Sequence, residues 1–186
     1  MVKQTHDRFG RIDVLMNNAA IYQDLDPRDG SLDYMRKVLD VNLFGVLTCG
    51  RAVFPYMKEQ GGGSIINISS VGVYPTQDAF RPQDNYPNYA YGISKSGVIF
   101  LTKAMARTGG DAKVRVNAIA PGTVLTEATK RLVSDKAEER KKLTKAMGLS
   151  LDPADLTGTA VFLASDDSAM MTGQALVVDA GGIMNG

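Results

Sequence analysis

Tyr91 and Lys95 stand four residues apart in Tyr91-Gly92-Ile93-Ser94-Lys95. On a helix that spacing puts both side chains on one face. A phenol ordinarily ionises near pH 10, too high for proton transfer at neutral pH. A neighbouring ammonium favours the phenolate and brings that value down. A serine within reach can hold a substrate oxygen in line with the phenol. Ser69 and Ser70 both close an apolar run, Ser64-Ile65-Ile66-Asn67-Ile68. Alternation along a strand points Ser69 toward the core and Ser70 away from it, so Ser70 is preferred and Ser69 is the alternative. Tyr91 as a plain core aromatic is the competing reading of that residue.

The elements that must position these groups alternate. Residues 2–9 read as a helix closed by Gly10 in a left-handed conformation. Residues 12–16 read as a strand that stops at Asn17-Asn18-Ala19-Ala20, and 23–31 as a turn-rich loop. A long helix is expected over 32–60, a turn at Gly61-Gly62-Gly63 and a strand over 64–70. The three glycines follow a helix and precede a strand, the reverse of a phosphate loop. A loop at 71–88, a helix at 89–107 and a strand at 114–120, ended by Pro121-Gly122, follow. Two or three helices fill 126–165, the last capped by Asp152 with Pro153 in its first turn. A strand at 174–179 ends at Gly181-Gly182. Apolar strands alternating with helices predict an α/β fold with a doubly wound parallel sheet in three layers, one domain over 1–186. Ligands of such sheets sit beyond the carboxyl ends of the strands, where the Asn, Ser, Gly and Pro residues above gather.

Composition narrows the function. Lys and Arg number 21 against 20 Asp and Glu in 186 residues. That balance offers no basic footprint for nucleic acid or an anionic membrane. The Lys/Arg cluster at 130–145 is interleaved with acids and reads as a solvated helix face. One cysteine, Cys49, and one histidine, His6, exclude an internal disulfide and a Cys/His zinc site. Cys49 is expected buried in a helix, and His6 solvated on a polar one. No apolar run approaches a bilayer span and the first ten residues lack a secretory core, so the expected location is the cytoplasm.

Taken in order, Asn17-Asn18-Ala19-Ala20, Asp40-Val41-Asn42-Leu43-Phe44-Gly45, Ile68-Ser69-Ser70, Tyr91-x-x-x-Lys95, Asn117-x-x-x-Pro121-Gly122 and Asp179-Ala180-Gly181-Gly182 resemble the short-chain dehydrogenase/reductase family, its 3-oxoacyl-reductase-like members in particular. The likeness covers nearly the whole chain. It implies a Rossmann-like fold, NAD or NADP as cofactor, and a small-molecule alcohol or ketone as substrate. Tyr91 would be the acid/base, Lys95 would lower its pKa and hold the nicotinamide ribose, and Ser70 would orient the substrate oxygen. Asn42 would hold a water relaying protons to Lys95, Asn18 would lie along the cofactor, and Val124 and Thr126 would meet the carboxamide end. The resemblance also implies a homo-oligomer, dimer or tetramer, joined through the helices at 32–60 and 89–107.

The sequence departs from the family in three places. The strand and glycine-rich turn that open the family's first βαβ unit have no counterpart among these residues, so the choice between NAD and NADP is not readable. The strand at 12–18 is then expected at a sheet edge, with Val14, Leu15 and Met16 partly uncovered. The interval from Ser70 to Tyr91 is long, and its residues from Tyr74 to Asn88 either wall the substrate pocket or make a surface excursion. Ala20 replaces a usual glycine. Ile21, Tyr22, Val71, Val73 and Leu125 are expected near the pocket and favour an uncharged substrate. Two functions stay open: an active oxidoreductase, and a catalytically impaired homologue that docks onto full-length subunits.

Overall fold

The computed structural model describes residues 1–21, 31–74, 89–130 and 145–184. Four parallel strands form one sheet in chain order: β1 (Val14–Asn17), β2 (Gly63–Ile68), β3 (Val114–Pro121) and β4 (Ala175–Val178). Register pairs Leu15 with Ile65 and Ile65 with Val116, and on the next row Met16 with Ile66 and Ile66 with Asn117. Because side chains alternate, these rows face opposite sides of the sheet.

The row through Leu15, Ile65 and Val116 packs under α1 (Val2–Phe9), α3 (Gly45–Glu59) and α4 (Ala90–Gly109), with Ile12, Val53, Met57 and Ala106. On the opposite face Ile66 and Ile119, from neighbouring rows, pack under the short helix 157–164 with Leu163. That helix is α6 (Thr157–Ala164), preceded by α5 (Glu127–Lys130). Polar residues of the strands fix the layers as well. Ser64 Oγ donates to the Leu163 carbonyl (2.7 Å). Asn117 donates to the Met171 carbonyl and accepts from the Gln174 amide, which steers the chain into β4.

Several expected boundaries shift by a residue or two. α1 ends at Gly10 with φ 76°, the left-handed conformation that glycine adopts without cost. Asp152 and Pro153 open a 3-10 turn, Pro153–Leu156, ahead of α6. Two other expectations are corrected. His6 is half-buried, its ring 4.4 Å from that of Tyr56, because α1 lies on α3. Cys49 is half-buried, since the helix buries Val46, Gly50 and Val53 along a neighbouring stripe.

The helix expected over 32–60 is continuous over Leu32–Glu59 but not uniformly α. It comprises α2 (Leu32–Leu39), a π turn (Asp40–Phe44) and α3. Ser31 caps its start by accepting from the Tyr34 amide. Val38, Asn42, Val46 and Gly50 are all buried, at intervals of four. Twelve α-helical steps of about 100° would leave Val38 and Gly50 about 120° out of line. A π turn absorbs about one residue and reduces this to about 20°. Contact with α4 is close: a Cβ on Gly97 would stand 2.7 Å from Leu43. Among the described residues this helix alone has the length and hydropathy of a bilayer span, contrary to the expectation that nothing approaches one. Here its buried stripe faces α4 and the sheet, and Asp40 and Arg51 lie within it.

β1 is an edge of the sheet among the described strands. Val14 and Met16 are 41% and 46% exposed on the α6 side, and Val161 of α6 is 66% exposed. Leu15 points the other way and is covered by the α3 core.

Candidate active site

The carboxyl ends of β1, β2 and β3 open into a cleft of about 840 Å³. Each strand contributes through the residues just past its end. After β1, Asn17 and Asn18 part. Asn17 turns into the helix-covered face and donates to Asn67 Oδ1 (2.9 Å), while Asn18 lines the cleft. After β2, Ser69 and Ser70 part the same way. Ser69 borders the cleft but is buried, and its hydroxyl is spent on the Lys95 carbonyl (2.9 Å). Ser70 lines the cleft and caps the short 3-10 turn Val71–Val73 by accepting from the Gly72 amide (3.1 Å). Past β3, Pro121, Gly122, Val124 and Thr126 form the next wall.

Tyr91 reaches the cleft from the first turn of α4. Lys95, one turn on, does not line it. Its side chain is 3% exposed and its ammonium donates to the Ile68 carbonyl (2.8 Å). Nζ lies 5.7 Å from the centroid of the Tyr91 ring. Burial pushes the Lys95 pKa down from 10.5 to about 8. An ammonium carries three protons, so with one held by Ile68 it has capacity for two more acceptors.

Asn42 is also behind the wall, buried in the π turn. Its amide is committed on both sides. Oδ1 accepts from the Ile21 amide (2.7 Å), and Nδ2 donates to the Ile21 carbonyl (3.0 Å) and to Ser94 Oγ (3.3 Å). The side chain therefore clamps the loop after β1. A buried polar line runs beneath α4 as well: Asn67 Nδ2 donates to Thr102 Oγ1 (2.9 Å), which donates to the Val98 carbonyl.

The structure thus brings Asn18, Ser70, Tyr91, Val124 and Thr126 to one cleft, with Lys95 and Asn42 supporting its wall. Of the apolar side chains expected there, Val71 lines the cleft among the described residues. Ile21, Val73 and Leu125 do not: Ile21 is held by Asn42, and the Leu125 amide is bonded to Leu151. Met16, Ile68, Leu156, Ala160 and Val161 supply apolar wall that the sequence reading did not name. Those from 156–161 come from the 3-10 turn Pro153–Leu156 and α6, distant in sequence, and no spacing rule points to them. Tyr22, most of the long interval before Tyr91 and the Lys/Arg cluster lie outside the described residues.

Residues 1–182 match the family described as enoyl-(acyl carrier protein) reductase. The chain is 42% identical to an uncharacterized oxidoreductase of Mycobacterium tuberculosis, over 99% of its own length and 71% of the relative's. It is 38% identical to the 3-oxoacyl-[acyl-carrier-protein] reductase of Thermotoga maritima, over 97% of this chain and 70% of that protein. Among solved structures, a gluconate 5-dehydrogenase from Burkholderia cenocepacia, in complex with NADP and tartrate, superposes with a TM-score of 0.85. It is 31% identical, and the match covers 97% of this chain and 68% of that one.

Proposed function

Because the chain belongs to the short-chain dehydrogenase/reductase family of NAD(P)-dependent oxidoreductases, we propose that it interconverts a secondary alcohol and a ketone, with Tyr91 as acid/base. The observation that carries this reading is the convergence on one cleft of the Tyr91 phenol and the Ser70 hydroxyl, with the Lys95 ammonium 5.7 Å behind the phenol ring. NAD or NADP, when bound, supplies or takes the hydride at its nicotinamide. The donor set fits such a group: a buried ammonium with two protons to give, the Asn18 amide, and the Thr126 hydroxyl beside Val124. Lys95 would hold the ribose, Asn18 would lie along the cofactor, and Val124 and Thr126 would meet the carboxamide end.

In ketone reduction Tyr91 gives its phenolic proton to the substrate oxygen as Ser70 holds that oxygen in line. In alcohol oxidation the phenolate takes the proton back, and the neighbouring Lys95 charge favours that phenolate. Asn42, its amide spent on Ile21 and Ser94, would serve the relay to Lys95 by placing the loop and the π turn rather than through its side chain. No charged residue lines the described cleft, which favours an uncharged substrate. Exposed Val41, Phe44, Ile93 and Phe100 on the two long helices support a homo-oligomer joined there.

The test is a fluorescence titration with NADH and NADPH, followed by turnover of parent and Tyr91→Phe. Saturable binding, with turnover falling about a hundredfold or more in Tyr91→Phe, is expected. Unchanged turnover in Tyr91→Phe would remove Tyr91 as acid/base. A folded chain that binds neither nucleotide would favour the docking homologue instead.

A further inference from the structure

Ser94 is fully buried between the π turn and the first turn of α4. Its hydroxyl donates to the carbonyl of Tyr91 (2.7 Å) and accepts from Asn42 Nδ2 (3.3 Å). Asn42 in turn grips both backbone groups of Ile21. One polar line therefore joins the loop after β1, the π turn and the backbone of Tyr91. Tyr91 lies in the first turn of α4, next to the bond from the Ile93 amide to the carbonyl of Tyr89, the residue that precedes the helix (2.8 Å). Helix ends hold their residues less firmly than helix interiors do. The far side of the same turn is bolted separately, by Ser69 to the Lys95 carbonyl and Lys95 to the Ile68 carbonyl.

We infer that Ser94 is a positioning residue: its hydroxyl ties the Tyr91 backbone to the Asn42–Ile21 clamp, and so sets the phenol against the Lys95 ammonium and the substrate oxygen. The inference rests on Tyr91 being the acid/base. Without the hydroxyl, Asn42 loses an acceptor and the first turn of α4 loses its tie to the π turn. The phenol then samples positions farther from Lys95, and its phenolate is less favoured. Ser94 is buried and does not line the cleft, so the loss is expected to fall on the chemical step rather than on binding.

The experiment uses the full chain with Ser94→Ala, which removes only the oxygen, and the isosteric pair Ser94→Thr and Ser94→Val, with Tyr91→Phe as reference. Three readouts are taken: kcat and KM for ketone reduction, the pH profile of kcat for alcohol oxidation, and tyrosinate absorbance against pH without nucleotide. Subtracting the Tyr91→Phe titration isolates the Tyr91 step. Ser94→Ala and Ser94→Val should lower kcat about ten- to a hundredfold with KM within about twofold. Both should move the Tyr91 step and the acid-side limb of the pH profile, along which activity rises with pH, to higher pH, and Ser94→Thr should restore both. Equal impairment in Ser94→Thr and Ser94→Val would overturn the inference, because the hydroxyl would then be irrelevant. So would parental kcat and tyrosinate midpoint in Ser94→Ala. If Tyr91→Phe is inactive and Ser94→Ala is unimpaired, only this inference fails. If Tyr91→Phe keeps parental turnover, the acid/base reading fails and takes the inference with it.

Discussion

Lys95 is held where its charge is costly, and Lys95→Met should expose that cost. Lys95 is 3% exposed, and burial lowers its pKa from 10.5 to about 8. At about 1.4 kcal/mol per tenfold change in proton affinity, the charged form destabilises the fold by about 3 kcal/mol below pH 8. The folded chain binds protons less readily than the unfolded one between about pH 8 and 10.5. Stability therefore rises with pH through that window as the ammonium deprotonates in the folded state. Methionine keeps the length of the side chain without the charge, but it leaves the Ile68 carbonyl without its donor at a cost of about 1–2 kcal/mol. At pH 6.5 Lys95→Met should accordingly be more stable than the parent by about 1–2 kcal/mol. Between pH 6.5 and 9.5 that advantage should fall by about 2 kcal/mol and vanish or reverse. Urea unfolding of both proteins at matched pH values measures the difference directly. A difference that does not change with pH would refute the reasoning, since it would mean that the buried amine does not titrate in this range. Activity should be lost at every pH, so stability and function part at this residue.

Two further predictions concern the frame of the site. Thr102→Val should destabilise by about 1–3 kcal/mol, because Asn67, fully buried, loses the acceptor for its Nδ2; a change in urea midpoint too small to measure would mean that the amide finds another partner. Gly122→Ala would place a Cβ 2.8 Å from Asp179 Cβ and 3.0 Å from its Cα, where backbone has to move, so a loss of about 1–3 kcal/mol is expected. Thermal unfolding tests this, and a parental midpoint would show that the wall past β3 yields freely.

Much of the architecture was legible from residue types. Continuous apolar runs such as Ser64–Ile68 and Val114–Ala120 read as covered parallel strands, and they are. The paired residues Asn17-Asn18 and Ser69-Ser70 show why alternation is informative at a strand end: the Asn17 amide and the Ser69 hydroxyl are spent on Asn67 and the Lys95 carbonyl, while Asn18 and Ser70 line the cleft, which Ser69 also borders. Hidden from the sequence was what depends on contacts distant along the chain. Asn42 reads as a polar residue in a helix, and nothing in its neighbours reveals that its amide is spent on Ile21. Ser94 looks like a spacer between Tyr91 and Lys95. The wall from α6 depends on how the sheet brings residues 156–161 beside β3. Periodicity over 32–60 predicts one helix but averages over the wide turn at its middle.

That turn has a consequence for how the chain tolerates changes in length. The helix from Leu32 to Glu59 behaves as two reading frames joined at Asp40–Phe44, each correct for its own half only because one residue is spent between them. Deleting one residue of 40–44 would let the helix close into a uniform α form with α2 still in frame, because eleven α steps leave Val38 and Gly50 only about 20° apart, whereas winding the full segment as plain α would turn α2 by about 100° about its axis. In that second case Val38 would leave the core and Asn42 would no longer face Ile21, although no residue had changed. In this segment the width of a single turn carries the information that a side chain carries elsewhere.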